Sequence, residues 1–346
     1  MTSDADHADT RGFFVGVFGP ILIILAAAWI LAAVGKQWFF DQEYPMWRAK
    51  TQMIANCQGG KTVIIGDSAA MAGLIPRRIG PDVVNLAVGG GSPIEIYYIT
   101  RKLLNCPAPP KRIILSISPF HFMQSDVYWT RAVPFHFFSL RETEEVRTRS
   151  ILLGDSSLYN ASRLGAMLGM AKNYQYAFNF PYYYSGAMAK GLFITMKAKN
   201  DRAFRQTMDN LGYHSFGVQN GSFELAPIAN LKQFKASPLL NDYYVETLKL
   251  IDSNQTPVVF VSMPVNNATY VTLPPAFKAQ FEGYVCGLGA KYNYGVLGDI
   301  LPVRPSSDFG DNTHLNPAGA AEWSDGFSKS LKHMKTFACP RSGLQS

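Results

Sequence analysis

Residues 62–68 read TVIIGDS, a short apolar run that ends in glycine, aspartate and serine. The run follows a Gly-Gly pair at 59–60, and an apolar run bounded by turn residues predicts a buried strand. Doubly wound α/β sheets carry their active-site loops at the carboxyl ends of parallel strands. The sequence therefore places Ser68 just past a strand, at the edge of the sheet where such folds carry chemistry.

The pattern continues as strand, loop and helix, which predicts an α/β fold with a doubly wound parallel sheet of the flavodoxin-like sandwich type. Ser92 followed by Pro93 is an N-cap and first-turn signal for one of the helices. Further strands are predicted at 82–86, 112–118 and 257–263, and helices at 93–104, 244–252 and 317–332.

The alternation breaks down between about 124 and 242, which we interpret as a helical insertion within an α/β domain of residues 61–346. The insertion contains a dense aromatic cluster at 174–184 and a mostly apolar run at 186–196. The aromatic cluster fits ordinary core, a membrane-interface belt or an acceptor groove, and the sequence leaves these three interpretations open.

Residues 311–314 read DNTH, with a carboxylate three residues before a histidine. Ser68 as nucleophile, His314 as base and Asp311 as the group that orients the base would complete the machinery of acyl transfer. Each short motif alone is weak, because these are ordinary turn residues, and Ser68 also fits a helix N-cap. The backbone N–H of Ser68 and a glycine after the second strand are the predicted oxyanion donors.

Three blocks of the sequence resemble the SGNH (GDSL-like) hydrolase superfamily: GDS at 66–68, NLAVGG at 85–90 and DNTH at 311–314. The resemblance implies the SGNH type of α/β fold, Gly90 as the oxyanion glycine and Asn85 as a substrate-binding residue. The family's third block supplies an asparagine to the oxyanion, and this sequence has Ser-Pro-Phe-His at 118–121 instead. His121 is therefore a candidate donor, although a packed histidine fits as well.

The Ser-Pro-aromatic segment and PVN at 264–266 further resemble the DltD family, whose members are membrane-anchored partners of a membrane-bound O-acyltransferase. The resemblance implies an extracytoplasmic enzyme that transfers D-alanyl or acetyl groups onto a cell-envelope glycan or lipid-linked polymer, without a cofactor. An acyl carrier protein is a further candidate partner. Asn266 fits either a turn residue or a substrate contact. Two alternatives are an O-acyl esterase and a non-catalytic partner of the acyltransferase.

Charged residues make up 16% of the 346 residues, and the net charge is +7. A mild basic excess fits anionic membranes and envelope polymers as well as nucleic acid. No Lys/Arg tract or nucleic-acid motif is present, so no nucleic-acid partner is expected. No Cys/His spacing of a metal site occurs, so no metal is expected.

Residues 13–34 form an uncharged apolar stretch, which predicts a transmembrane anchor between a tail at 1–12 and a linker at 35–60. A cleaved signal peptide has a shorter apolar region and a basic front, whereas this front is acidic. The flanking charges favour a cytoplasmic domain. The cysteines, which we expect to form disulfides as described next, favour a domain outside the cytoplasm. We therefore expect a single-pass protein of the plasma (inner) membrane with an extracytoplasmic, periplasmic domain.

The sequence has four cysteines, and no two of them have CxxC spacing. Cys57 and Cys106 each lie shortly before a predicted strand, and both would sit at one edge of the sheet if those strands are neighbours. We therefore predict the disulfides Cys57–Cys106 and Cys286–Cys339, which favour an oxidising compartment. The alternative is four unrelated thiols.

Overall fold

The computed structural model describes residues 4–40, 43–125, 127–159, 162–178, 194–216, 232–332 and 339. At its centre lies a five-stranded parallel sheet in the order β2-β1-β3-β4-β6. A separate two-stranded parallel sheet joins β5 to β7. The strands are β1 Thr62–Gly66, β2 Val83–Asn85, β3 Arg112–Ser116, β4 Val258–Phe260, β5 Val265–Asn266, β6 Gly295–Val296 and β7 Val303–Arg304.

The α/β fold with a central parallel sheet is confirmed, and β1 lies inside it, paired with β2 on one side and β3 on the other. Alternate residues of a strand point to opposite faces. Val63 and Ile65 pack in one hydrophobic core, and Ile64 packs in a second. The sheet is therefore covered on both faces, which is why β1 is continuously apolar rather than alternating.

Helices form the two covering layers. On one face α6 packs against α11, and on the other α14 packs against α4 and α5. The predicted starts of α6 at Pro93 and of α14 at Pro317 agree with the structure. The helices are α1 Asp4–Val34, α2 Lys36–Phe39, α3 Glu43–Ala55, α4 Ser68–Gly73, α5 Pro76–Ile79, α6 Pro93–Leu104, α7 Pro119–Met123, α8 Leu140–Leu152, α9 Arg163–Ala177, α10 Ile194–Asp209, α11 Pro238–Ser253, α12 Asn267–Thr272, α13 Pro275–Tyr292 and α14 Pro317–Lys332.

The segment predicted as a helical insertion contains α8, α9 and α10 and a π-helical turn at Tyr128–Ala132. Most of the aromatic cluster at 174–184 and of the apolar run at 186–196 lies outside the described residues. Tyr174 and Phe178 are described, and both side chains are exposed.

Residues 35–60, predicted to be a linker, are instead largely helical and packed into the domain. Trp47 of α3 is only 1% exposed, and Lys50 is fully buried. The Lys50 ammonium donates to the backbone carbonyls of Asn85 and Gly212. Desolvation lowers the pKa of Lys50 well below its ordinary value. The linker prediction was wrong because α3 buries Trp47, Met53 and Ile54 in the hydrophobic core and packs against α6 and α10.

The N-terminal helix α1 contains Pro20, and several of its apolar side chains are exposed, among them Val15 and Ile23. A bilayer crossing needs about 20 continuous, predominantly apolar helical residues. Among the described residues, no helix combines that length with that apolarity. The predicted anchor at 13–34 and the predicted single-pass insertion in the plasma membrane are therefore wrong.

Two disulfides are present, and they join the pairs that the sequence predicted. Cys57 and Cys106 lie 5.7 Å apart at their Cα atoms, and Cys286 and Cys339 lie 5.4 Å apart. The first links the residues after α3 to those after α6, close to the starts of β1 and β3. It lies at the end of the sheet opposite the loop that carries Ser68.

Candidate active site

Ser68 is held at the carboxyl end of β1 by a tight strand-to-helix turn. A Cβ on Gly66 would lie 1.8 Å from the carbonyl oxygen of Ser116, so β3 approaches β1 here only because residue 66 is glycine. Ser68 is then the first residue of α4 and is partly exposed. A backbone N–H at this position has no partner within its own helix. The predicted role of this N–H as an oxyanion donor is compatible with its position at the start of α4.

Asp67 is the N-cap of α4 and is 1% exposed. Its Oδ1 accepts hydrogen bonds from the N–H groups of Ala69 at 3.0 Å and Ala70 at 3.3 Å. Its Oδ2 accepts one from the N–H of Ser118 at 2.7 Å, which joins the loop after β1 to the loop after β3. Asp67 is thus a loop-stabilising acceptor, and both of its oxygens are occupied.

Asp311 and His314 form a hydrogen-bonded pair. His314 Nδ1 lies 2.7 Å from Asp311 Oδ2, and Asp311 Oδ1 accepts from the backbone N–H groups of Thr313 and His314. Burial raises the pKa of Asp311, but the hydrogen bond and the charge of His314 and the two backbone bonds outweigh it. The net result is a pKa well below the ordinary value. Asp311 therefore stays ionised and orients the imidazole.

The second ring nitrogen of His314, Nε2, is buried and has no hydrogen-bond partner among the described residues. With Nδ1–H donating to Asp311, Nε2 is the acceptor that a general base needs. Phe216 covers the imidazole, with ring centroids 4.3 Å apart and planes at 34°. No hydrogen bond joins His314 to Ser68, and such bonds in unliganded sites often form only when substrate binds.

A cavity of about 350 Å³ opens beside Ser68. It crosses the carboxyl ends of β1, β3 and β4, and it therefore includes the switch point between β1 and β3, where open α/β sheets bind ligands. Thr313 also lines it, which brings the Asp311–His314 loop to the same space as Ser68. The lining residues are Asp67, Ser68, Ala69, Ile117, Ser118, Pro119, Phe120, His121, Met123, Gln124, Ser262, Met263, Pro264, Val265, Leu301 and Thr313.

The two predicted accessory oxyanion donors differ in their placement. His121 lines the cavity, and its buried Nδ1 has no partner among the described residues. Its Nε2 lies 3.9 Å from Asp67 Oδ2. Gly90 has a left-handed backbone (φ 71°), and a Cβ added to it would lie 2.4 Å from Val127. His121 is therefore among the residues that line the cavity beside Ser68, and Gly90 is not.

Asn85 and Asn266 both have structural roles, which corrects the prediction of substrate binding for Asn85 and favours the turn alternative for Asn266. Asn85 is fully buried, and its amide donates to the carbonyls of Ala70 and Leu74. Asn266 is also fully buried and caps α12 through Thr269, while its amide donates to the Asn312 carbonyl at 2.5 Å. Asn266 therefore supports the loop of Asp311 and His314 rather than touching a ligand.

Sequence reasoning missed two residues of this site. Ser262 is 4% exposed, lines the cavity and has an Oγ without a partner among the described residues. The sequence could have identified Ser262, because a hydroxyl that closely follows a parallel strand lies at the edge of the sheet where α/β folds bind ligands. Phe216 gave no such signal, because it lies nearly 100 residues from His314 in the insertion.

Among the described residues, no group of three or more His, Cys, Asp or Glu side chains could hold a metal ion. Comparison with models of known protein families gives no match, and comparison with curated proteins gives none either. The geometry of the site is therefore the basis for the function considered below.

Proposed function

We propose that this protein is a serine acyltransferase of the SGNH type, with Ser68 as nucleophile, His314 as general base and Asp311 as the residue that orients His314. The observation that carries the proposal is the pair of Asp311 and His314, joined at 2.7 Å with a free acceptor nitrogen at Nε2. A buried polar atom without a partner is rare in native proteins and needs an explanation. The transfer of a proton from Ser68 is that explanation.

In the first half-reaction, His314 Nε2 takes the proton of the Ser68 hydroxyl as its oxygen attacks the acyl carbonyl. The N–H of Ser68 and the imidazole of His121 stabilise the oxyanion, because both lie at the cavity. His314 then gives its proton to the leaving group, and the acyl group remains on Ser68 as an ester. Asp311 stays ionised and stabilises the imidazolium formed in between.

In the second half-reaction, the hydroxyl of an acceptor loses its proton to His314 and attacks the acyl-Ser68 ester. The acyl group passes to the acceptor, and His314 returns the proton to Ser68. With a glycan or lipid-linked polymer as acceptor the enzyme is a transferase, and with water it is an esterase. The resemblance to the DltD family favours transfer, with an O-acyltransferase or an acyl carrier protein as the source of the acyl group.

The test is turnover of p-nitrophenyl esters by the purified full chain, with and without an added polyol acceptor. Ser68→Ala should abolish turnover, while Ser330→Ala, a matched change on an exposed face of α14, should leave it unchanged. Release of acylated polyol identifies a transferase, and release of free acid alone identifies an esterase. Equal turnover in Ser68→Ala and wild-type protein would leave only a non-catalytic binding role.

A further inference from the structure

We propose that the cavity beside Ser68 binds an uncharged, apolar acyl chain of several carbons, and that the enzyme discriminates against both acetyl and D-alanyl groups. This inference rests on the proposed function, because it assigns the acyl group that Ser68 carries. Three properties of the cavity support it: its apolar wall, the backbone hydrogen bonds that already engage its carboxylate, and its width.

The wall is apolar on two sides. After β3, the first side consists of Ile117, Pro119, Phe120 and Met123, and Phe120 stacks on the buried ring of Phe277. The second side consists of Met263, Pro264 and Val265, which follow β4, and of Leu301, which follows β6. Contact between an apolar wall and an apolar group is favourable because it removes both surfaces from water. These walls therefore favour a hydrocarbon chain over a polar one.

The one negatively charged group of the described cavity wall is already hydrogen-bonded to the protein backbone. Asp67 is the one carboxylate among the described lining residues, and its oxygens already accept three backbone N–H bonds. The other polar side chains of the wall, apart from His121, are neutral hydroxyl and amide groups. A D-alanyl group would therefore lose the hydration of its ammonium in a mostly apolar space, with Asp67, already hydrogen-bonded to three backbone N–H groups, as the one charged side chain of the described wall that could pair with it; burying a hydrocarbon chain there carries no such cost.

The cavity is also wider than a two-carbon group needs. It extends from Ser68 after β1, past the end of β3, to Ser262 after β4. Neighbouring strands lie about 4.8 Å apart, so two spacings give a width of about 10 Å. An acetyl group on Ser68 would leave most of the wall uncovered, whereas a chain of several carbons would reach its far side.

The experiment compares kcat/KM of the purified full chain for the p-nitrophenyl esters of acetate, hexanoate and D-alanine at neutral pH. We expect hexanoate to exceed acetate by at least about 10-fold, because each methylene buried in an apolar pocket contributes a factor of this order. The D-alanyl ester should react more slowly than the acetyl ester. Equal values for hexanoate and acetate, or a preference for D-alanine, would overturn the proposal.

A pair of variants ties the preference to this cavity. Met123→Trp enlarges a half-buried lining residue and should lower kcat/KM for hexanoate at least about 10-fold, with a smaller effect on acetate. Met167→Trp is the control, because Met167 on α9 is 59% exposed and does not line the cavity. An unchanged ratio of hexanoate to acetate in Met123→Trp would contradict the assignment of this cavity as the acyl site.

The failure of the proposed function has a different signature. A fluorophosphonate reagent labels an activated serine whatever acyl group the enzyme prefers. If Ser68 is labelled but the ester preferences are not those expected, the acyl-chain inference is wrong and the serine mechanism stands. If Ser68 is neither labelled nor needed for turnover of any ester, both proposals are wrong.

Discussion

The two ends of the central sheet differ in how completely their polar groups are used. At the amino end, the strands are tied by backbone bonds such as Lys61 N–H to the Asp82 carbonyl at 3.0 Å, and by the disulfide of Cys57 and Cys106. At the carboxyl end, four described residues contribute buried polar atoms without partners: Ser116 Oγ, His121 Nδ1, Ser262 Oγ and His314 Nε2. Such atoms cost free energy in the folded state. These four lie at the end of the sheet that also holds the cavity beside Ser68, where we propose that the chemistry takes place.

The largest effect should come from removing the base at the carboxyl end. His314→Ala should lower ester turnover at least about 10⁴-fold, because Ser68 then has no group to take its proton. The matched change at the amino end is Lys61→Ala, which removes an exposed side chain paired with Asp82. Steady-state kinetics of both variants should show loss only for His314→Ala. A loss of less than about 10-fold would mean that His314 is not the base.

The next effect belongs to the amino end and should appear in stability rather than in activity. The Cys57–Cys106 bridge has a sequence separation of 49 residues. Cross-linking a loop of this size contributes about 4 kcal/mol on the chain-entropy model. We expect Cys57→Ser combined with Cys106→Ser to lower the free energy of unfolding by about this amount, as measured in urea.

Ester turnover by the folded double variant should stay near that of the wild-type protein, since the bridge lies at the far end from Ser68. A fall in kcat at a temperature where the variant is folded would show that the two ends of the sheet are coupled. It would contradict the expectation that the disulfide affects stability but not activity.

A smaller effect is expected in the pH dependence of stability. It comes from a buried carboxyl group on α6, in the segment that follows β2. Glu95 is fully buried and accepts from the N–H and hydroxyl of Ser92. Desolvation raises the pKa of Glu95 from 4.5 to about 6, although the bonds from Ser92 act in the opposite direction. The folded state therefore binds more protons than the unfolded state between these values, so this group's contribution to stability falls as pH rises through about 6.

The shift corresponds to about 2 kcal/mol between pH 4 and pH 7.5. Glu95→Gln keeps the acceptor oxygen but cannot titrate. The unfolding free energy of the wild-type protein minus that of the variant should therefore decrease by about this amount as pH rises over that range. A difference that is the same at both pH values would show that Glu95 has an ordinary pKa in the folded protein.

Much of the fold was readable from the sequence because the signals are local. The apolar run before Ser68 and the capping pair at Ser92 and Pro93 each specify an element without help from distant residues. The disulfide of Cys57 and Cys106 followed from the pairing of the strands behind them. The packing of α3 was not readable, since the burial of Lys50 depends on carbonyl groups of Asn85 and Gly212 that only the folded chain brings together.

Of the candidate site, the sequence indicated only the groups that we propose to react. Ser68, Asp311 and His314 lie in short motifs that can be recognised from the sequence alone. An asparagine amide can bind either a ligand or a backbone carbonyl, and the sequence does not distinguish the two. The structural role of Asn85 and Asn266 was therefore visible only in the folded structure.

The most direct test of the serine mechanism is to trap the acyl-enzyme. The full chain would be mixed with p-nitrophenyl hexanoate at neutral pH, quenched in acid within seconds and measured by intact and peptide mass spectrometry. We predict the added mass of one hexanoyl group on the peptide that contains Ser68, and no such mass in Ser68→Ala. Hexanoyl-modified peptide that lacks Ser68, or the same modification in Ser68→Ala, would contradict the account.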